Sequence, residues 1–209
     1  MNIFLIRHGQ TLLNQSNTHQ YSTTPLSDTG LMEARSLAQR LKEAEIDIIY
    51  SSPLLRAKQT AEAIAKSSGQ TITFLDELRE IKRPTIIEGK NHDDKIVKQI
   101  KQDIKNNYAR KGWHHSDEEN FWDVRHRVEA LMSNLQGEIT ENVLLVSHGV
   151  VIKMFLSLCI FGDQLTANNF LAFYENVFIS NTGISHCSFS PELGWKVVRV
   201  NDTTHLSAS

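Results

Sequence analysis

Two short, uninterrupted apolar runs constrain this chain more than anything else in it: Ile3-Phe4-Leu5-Ile6 and Val143-Leu144-Leu145-Val146. A run of that length with no polar alternation is a strand covered on both faces, which is how strands read in a parallel sheet sandwiched between helices. Each run passes through one polar residue into the same pair, giving Arg7-His8-Gly9 and Ser147-His148-Gly149. A parallel sheet binds its ligands at the carboxyl ends of its strands. Both histidines are therefore expected on one edge of one sheet.

The rest of the pattern alternates in the same way, which predicts an α/β fold. Ser27 is placed to cap a helix with Leu31, Ala34, Ala38 and Leu41 as its apolar stripe. Ile46 to Tyr50 reads as a strand, followed by Ser51-Ser52-Pro53 and a helix through Ala61 and Ile64; Thr71 to Leu75 reads as a third strand. Ser116 and Glu119 have capping-box spacing ahead of a helix with Phe121, Val124, Val128, Leu131 and Leu135 on one face. A very apolar helix follows His148 through Val150 to Ile160. Val177–Ser180, Ile184–Phe189 and Trp195–Val200 read as late strands, and 203–209 as a frayed tail. The 209 residues fit one domain, with 82–115 as a helical cap inserted in it.

That cap region has its own charge. Residues 82–111 hold nine Lys and Arg against four Asp and Glu, +5 in a chain of net charge −2. Ile96, Ile100, Ile104 and Tyr108 give it an amphipathic stripe, so it is expected to dock one face over the strand ends while its lysines face solvent or the pocket mouth. The whole-chain charge points to neither nucleic acid nor a membrane surface. No segment approaches the eighteen or so apolar residues of a membrane span, and the opening apolar run is too short for a signal peptide. Cys159 and Cys187, far apart in apolar or small surroundings, read as reduced thiols of a cytoplasmic protein.

The chemistry sits at the strand ends. A guanidinium matches phosphate oxygens bidentately, and glycine lets backbone N–H groups approach an anion. A neutral histidine beside that anion can attack phosphorus once its other nitrogen has an acceptor that fixes the tautomer. Arg56, early in the helix after Ser52-Pro53, is expected to reach a phosphate held near that helix start. Arg7, Arg56, His8 and His148 would then form one anion pocket.

These residues, with Gln10-Thr11, Asn14, Pro25-Leu26-Ser27-Asp28-Thr29-Gly30, Ser51 to Ala61 and Leu78-Arg79-Glu80-Ile81, resemble the histidine phosphatase superfamily. The resemblance covers residues 3 to about 155 in family order. It implies a phosphoglycerate mutase-like three-layer sandwich and a phosphatase acting on small phosphomonoesters through a phosphohistidine on His8. It also implies that Arg7, Arg56, His148 and Gly149 hold the phosphoryl group, that Asn14 is a further phosphate contact, and that Glu80 is the acid protonating the leaving oxygen. Such an acid must carry its proton at working pH. Glu77 is the alternative acid. A mutase returning the phosphoryl group to a second position, or a non-catalytic phospho-ligand module, are the alternative functions.

The chain departs from the family after Ile81, where Lys82-Arg83-Pro84-Thr85-Ile86-Ile87-Glu88-Gly89-Lys90 replaces a glycine and an aromatic-Glu-Gly stretch. Substrate identity is therefore open, as is oligomeric state. No cofactor or metal is called for: His114 and His115 read as exposed loop residues, His186 as structural, and Trp113, Trp122 and Trp195 as packing.

Overall fold

A computed structural model describes residues 1–206. Six strands form one sheet in the order β3-β2-β4-β1-β5-β6: β1 (Asn2–Arg7), β2 (Ile48–Ser51), β3 (Ile72–Phe74), β4 (Asn142–Ser147), β5 (Ile184–Ser190) and β6 (Gly194–Asp202). The first four run parallel, and β5 and β6 add an antiparallel edge. Side chains alternate across β1 and β4, and both faces are covered. Ile6, Leu144 and Val146 pack under α2 (Asp28–Leu41) and α3 (Leu55–Ser68). Ile3, Leu5, Val143 and Leu145 pack under α5 (Phe121–Gln136), α6 (Gly149–Phe161) and α7 (Ala167–Asn176). The α/β three-layer architecture expected from the apolar runs is present.

The register positions the site. β1 and β4 pair with Arg7 opposite Ser147, and the His8 N–H donates to the Ser147 carbonyl at 3.0 Å. His8 and His148 are thus the next residues off two adjacent strands, which lie about 4.8 Å apart in any sheet.

Several local expectations fail for identifiable reasons. Residues 177–180 form no strand: Arg7 Nη1 donates to the Ile179 carbonyl at 2.6 Å, and the Ser180 N–H donates to Asn201 Oδ1 at 2.7 Å. Helix α7 was not anticipated, because asparagines in its first turn hide the pattern that buries Ala167 and Phe170. The α5 cap is Asn120, in a capping box with Asp123, rather than Ser116 with Glu119. Leu37 takes the buried place on α2 expected of Leu31, which is exposed. Residues 204–206 make a 3₁₀ turn that buries His205 against Thr182; the remainder of the expected frayed tail, 207–209, lies outside the described residues.

The cap segment is a 3₁₀ turn (Thr85–Ile87), α4 (Lys95–Asn107) and a loop back to α5. Its buried stripe is Ile87, Val97 and Ile100 with Ile104 beside them, while Ile96 is exposed. His114 and His115 each reach a carboxylate at 2.7 Å, Asp123 and Asp103 respectively. Those pairs tie the returning loop to α5 and to α4.

Candidate active site

His8 is buried, 2% exposed. Its Nδ1 lies 2.7 Å from the Gly9 carbonyl, which can only accept, so Nδ1 carries the proton. Nε2 is then a lone-pair acceptor, and Arg56 Nε donates to it at 3.3 Å. Burial, then Arg56 and Arg7, hold the ring's pKa well below the usual histidine value, so it stays neutral. The backbone is gripped on both sides. The Gly9 N–H donates to Thr60 Oγ1 at 3.0 Å, and Asn181 Nδ2 donates to the His8 carbonyl at 2.8 Å.

His148 caps α6 at the end of β4, its ring centroid 5.0 Å from that of His8. Ser52 sets its tautomer. The Leu54 N–H donates to Ser52 Oγ at 3.2 Å, and Ser52 Oγ stands 2.9 Å from His148 Nε2. Among the described residues that hydroxyl has no other acceptor, so its proton goes to Nε2 and the proton of His148 sits on Nδ1. That buried Nδ1 has no partner among the described residues. Burial, then Arg56 and His8, keep this ring neutral as well.

Two guanidiniums complete the arrangement. Arg56, 3% exposed, leaves α3 and donates from Nη1 to the Tyr21 carbonyl at 3.0 Å. Burial lowers its pKa to about 10, still cationic at neutral pH. Arg7 is anchored through Ile179, and its buried Nε has no partner among the described residues. Burial lowers its pKa too. A Cβ on Gly149 would stand 3.8 Å from that Nε, an ordinary van der Waals contact, so the first turn of α6 lies beside Arg7. Buried donors left without acceptors cost about 1–3 kcal/mol each. Arg7 Nε and His148 Nδ1 are two such donors, and the Arg56 and Arg7 guanidiniums both act on the His148 ring.

The site opens into a cavity of about 1020 Å³ lined by Arg7, Asn14, Arg56, Glu80 and Gly149 and by residues of the cap. Glu77 does not line it. Glu80 accepts from the Ile81 N–H at 2.9 Å and from the Val150 N–H at 3.4 Å, which seats its carboxylate at the start of α6. Asn14 Oδ1 is used by the Thr11 N–H in a capping box of α1 (Leu12–Gln15), leaving Nδ2 as its available donor. Of the cap's lysines, Lys82, Lys101 and Lys105 line the cavity; Lys90, Lys95 and Lys98 do not, and Lys98 pairs with Asp93.

The supporting residues Thr60, Ser52 and Asn181 were not singled out from the sequence. Ser52 and Thr60 lie inside the motif that carries Arg56, and that was the available signal. Asn181 had none, since it fell between two segments read as strands. Among the described residues no group of three His, Cys, Asp or Glu is placed to hold a metal ion, and no helix is long and apolar enough to cross a membrane.

The model of the histidine phosphatase superfamily (branch 1) matches residues 3–203. The probable phosphoglycerate mutase GpmB of Photorhabdus laumondii subsp. laumondii is 31% identical, with 99% of this chain and 95% of that protein covered. Bacillus stearothermophilus YhfR superposes with a TM-score of 0.81 at 27% identity over 98% of each chain. The phosphoserine phosphatase of Entamoeba histolytica, solved in complex with 3-phosphoglyceric acid, gives 0.76 at 26% identity, again over 98% of each chain.

Proposed function

This chain belongs to the histidine phosphatase superfamily, and from that premise we propose that it hydrolyses small phosphomonoesters by way of a phosphohistidine on His8. The observation that carries the assignment of His8 is its fixed tautomer: Nδ1–H is committed to the Gly9 carbonyl, and Nε2 is an unprotonated nucleophile facing Arg56.

The geometry supports the following order of steps. The Nε2 lone pair forms a bond to phosphorus as the bond to the ester oxygen breaks, and Glu80 gives its proton to that oxygen. Arg7, Arg56, His148 Nδ1–H, Asn14 Nδ2 and the Gly149 region hold the three non-bridging oxygens, where charge is spread in the transition state. Arg56 trades its contact with Nε2 for the phosphoryl group. Glu80, now ionised, takes a proton from water as water attacks phosphorus. The N–P bond breaks, and inorganic phosphate and neutral His8 are restored. The Gly9 carbonyl faces Nδ1–H throughout and stabilises the ring while it is phosphorylated and positive.

Residues 82–115 serve as a cap within a single domain, and the adjacent free thiols of Cys159 and Cys187 suit a reducing compartment such as the cytoplasm. A second reading is favoured by the name of the GpmB relative: the phosphoryl group would return to another hydroxyl of the substrate, not to water.

Glu80→Gln separates leaving groups. It should lower kcat by about 100-fold or more for alkyl phosphates and far less for nitrophenyl phosphate, whose leaving oxygen needs no proton. Equal losses for both would remove Glu80 from the acid role. Following inorganic phosphate and isomerised ester together in the wild type distinguishes hydrolysis from the mutase reading.

A further inference from the structure

A phosphoryl group fills only part of a cavity of about 1020 Å³. The cap supplies a wall of its own, made by Arg83, His92 and Lys101, and His19 joins it from the loop after α1. The two sides are clasped through backbone: the His19 N–H donates to the Lys90 carbonyl, and the Gly89 N–H donates to the His19 carbonyl, each at 3.0 Å. The rings of His19 and His92 lie 4.0 Å apart.

The charges on this wall are not neutralised. Lys82, Lys98 and Lys105 are each paired, with Asp117, Asp93 and Glu175. Arg83 and Lys101 have neither an ion pair nor a hydrogen bond among the described residues. They are near enough to depress both imidazoles after burial has done so, His19 to about 3. Asp93 acts on Lys101 and His92, but Lys98 and Asn17 already hold it; Asp76, Glu80, Glu88, Glu119 and Glu175 line the same cavity, none of them paired with Arg83 or Lys101 among the described residues. His19 is 7% exposed, and its buried Nε2 has no partner among the described residues. Among the described residues, two cations without an ion pair and a histidine with an unpartnered ring nitrogen therefore line one half-open cavity.

We propose that this cap-side cluster binds a second anionic group of the substrate, so that the enzyme selects phosphomonoesters carrying a carboxylate or a second phosphate over neutral ones. The inference rests on the phosphatase reading for its consequence in turnover, but the subsite itself stands on Arg83, Lys101, His19 and His92.

The test uses phosphate esters of straight-chain ω-hydroxy acids of two to six carbons. Each is compared with its neutral amide and with the alkane bisphosphate of matching length. Charge-assisted hydrogen bonds of this kind correspond to a preference on the order of 10- to 100-fold. The wild type should favour acid over amide in kcat/KM by that factor at one or two chain lengths, and Arg83→Gln with Lys101→Met should bring the ratio towards one. If the bisphosphate exceeds the acid, the subsite takes a phosphate; if not, a carboxylate. An acid-to-amide ratio near one at every length, or a ratio unchanged in the double variant, overturns the proposal. Calorimetric titration of His8→Ala protein with the same compounds keeps the two claims apart. Tighter binding of acid than amide without any turnover by the wild type would retain the subsite and remove the phosphatase reading. Equal hydrolysis of acid and amide would do the opposite.

Discussion

At the level of single residues, the chemistry depends on which nitrogen carries each proton. Burial alone would make two neutral histidines. The neighbours make them different, one a nucleophile through Nε2 and the other a donor through Nδ1. Ser52 is the residue that assigns the second role, because its one proton satisfies His148 Nε2. Ser52→Ala should therefore slow turnover by about 10- to 100-fold, the range for removing a group that orients a functional imidazole. His148→Ala should cost on the order of 100- to 1000-fold, as for a preorganised donor to a developing anion. A Ser52→Ala enzyme at wild-type rate beside a crippled His148→Ala enzyme would contradict the tautomer assignment. The sequence made His8, His148, Arg7 and Arg56 legible because each sits at the junction of an apolar run with a turn or helix. It could not make Ser52 legible as a partner of His148, since that contact joins two strand ends 96 residues apart.

Among the elements, the strands that read clearly were those buried on both faces, β1 and β4, where burial and sequence carry the same message. Residues 177–180 misled because the apolar side chains of Val177 and Ile179 serve packing while the backbone serves the site. The Arg7 guanidinium takes the Ile179 carbonyl, and the Thr182 N–H donates to the Arg7 carbonyl at 2.9 Å. Thr182 holds φ at 53°, a position unfavourable for a β-branched residue by about 1–3 kcal/mol, maintained by the contacts around it. Helix α2 meets the His8 turn through glycine. A Cβ on Gly9 would stand 2.7 Å from the Gly30 carbonyl oxygen, and a Cβ on Gly30 would overlap the Gln10 carbonyl. Gly30→Ala should thus destabilise the fold by about 1–3 kcal/mol, the usual cost of overpacking, and displace the turn that carries His8. Urea unfolding with parallel rate measurements checks this; unchanged stability and activity would show that the contact is not tight. Lys82, Lys101 and Lys105 of the cap do line the cavity, but which lysines would do so was not legible, because helical periodicity gave α4 its buried side and not its rotation relative to the cavity.

For the molecule as a whole, the histidines share one consequence. Burial lowers the pKa of His8, His19, His92, His148 and His205 in the folded state, whereas in the unfolded chain they take up protons near pH 6.5. Below that pH the unfolded chain binds more protons, so stability is fully present above about pH 6.5 and is lost as the pH falls towards the folded values. The urea midpoint should drop steadily from pH 7 to pH 5 with little change in slope; a flat profile would mean that these rings are not held neutral. The same neutrality keeps the nucleophile competent in mild acid, where the protein is still folded. All of this serves one event, transfer of phosphorus to His8 Nε2. Rapid acid-free quenching of the enzyme with a radiolabelled phosphomonoester, followed by peptide mapping, tests that event directly. The account predicts an acid-labile label on His8 alone, attached at Nε2 and absent from a His8→Ala protein that no longer releases phosphate. A label on another residue, or a His8→Ala enzyme that hydrolyses the same ester at near wild-type rate, would contradict it.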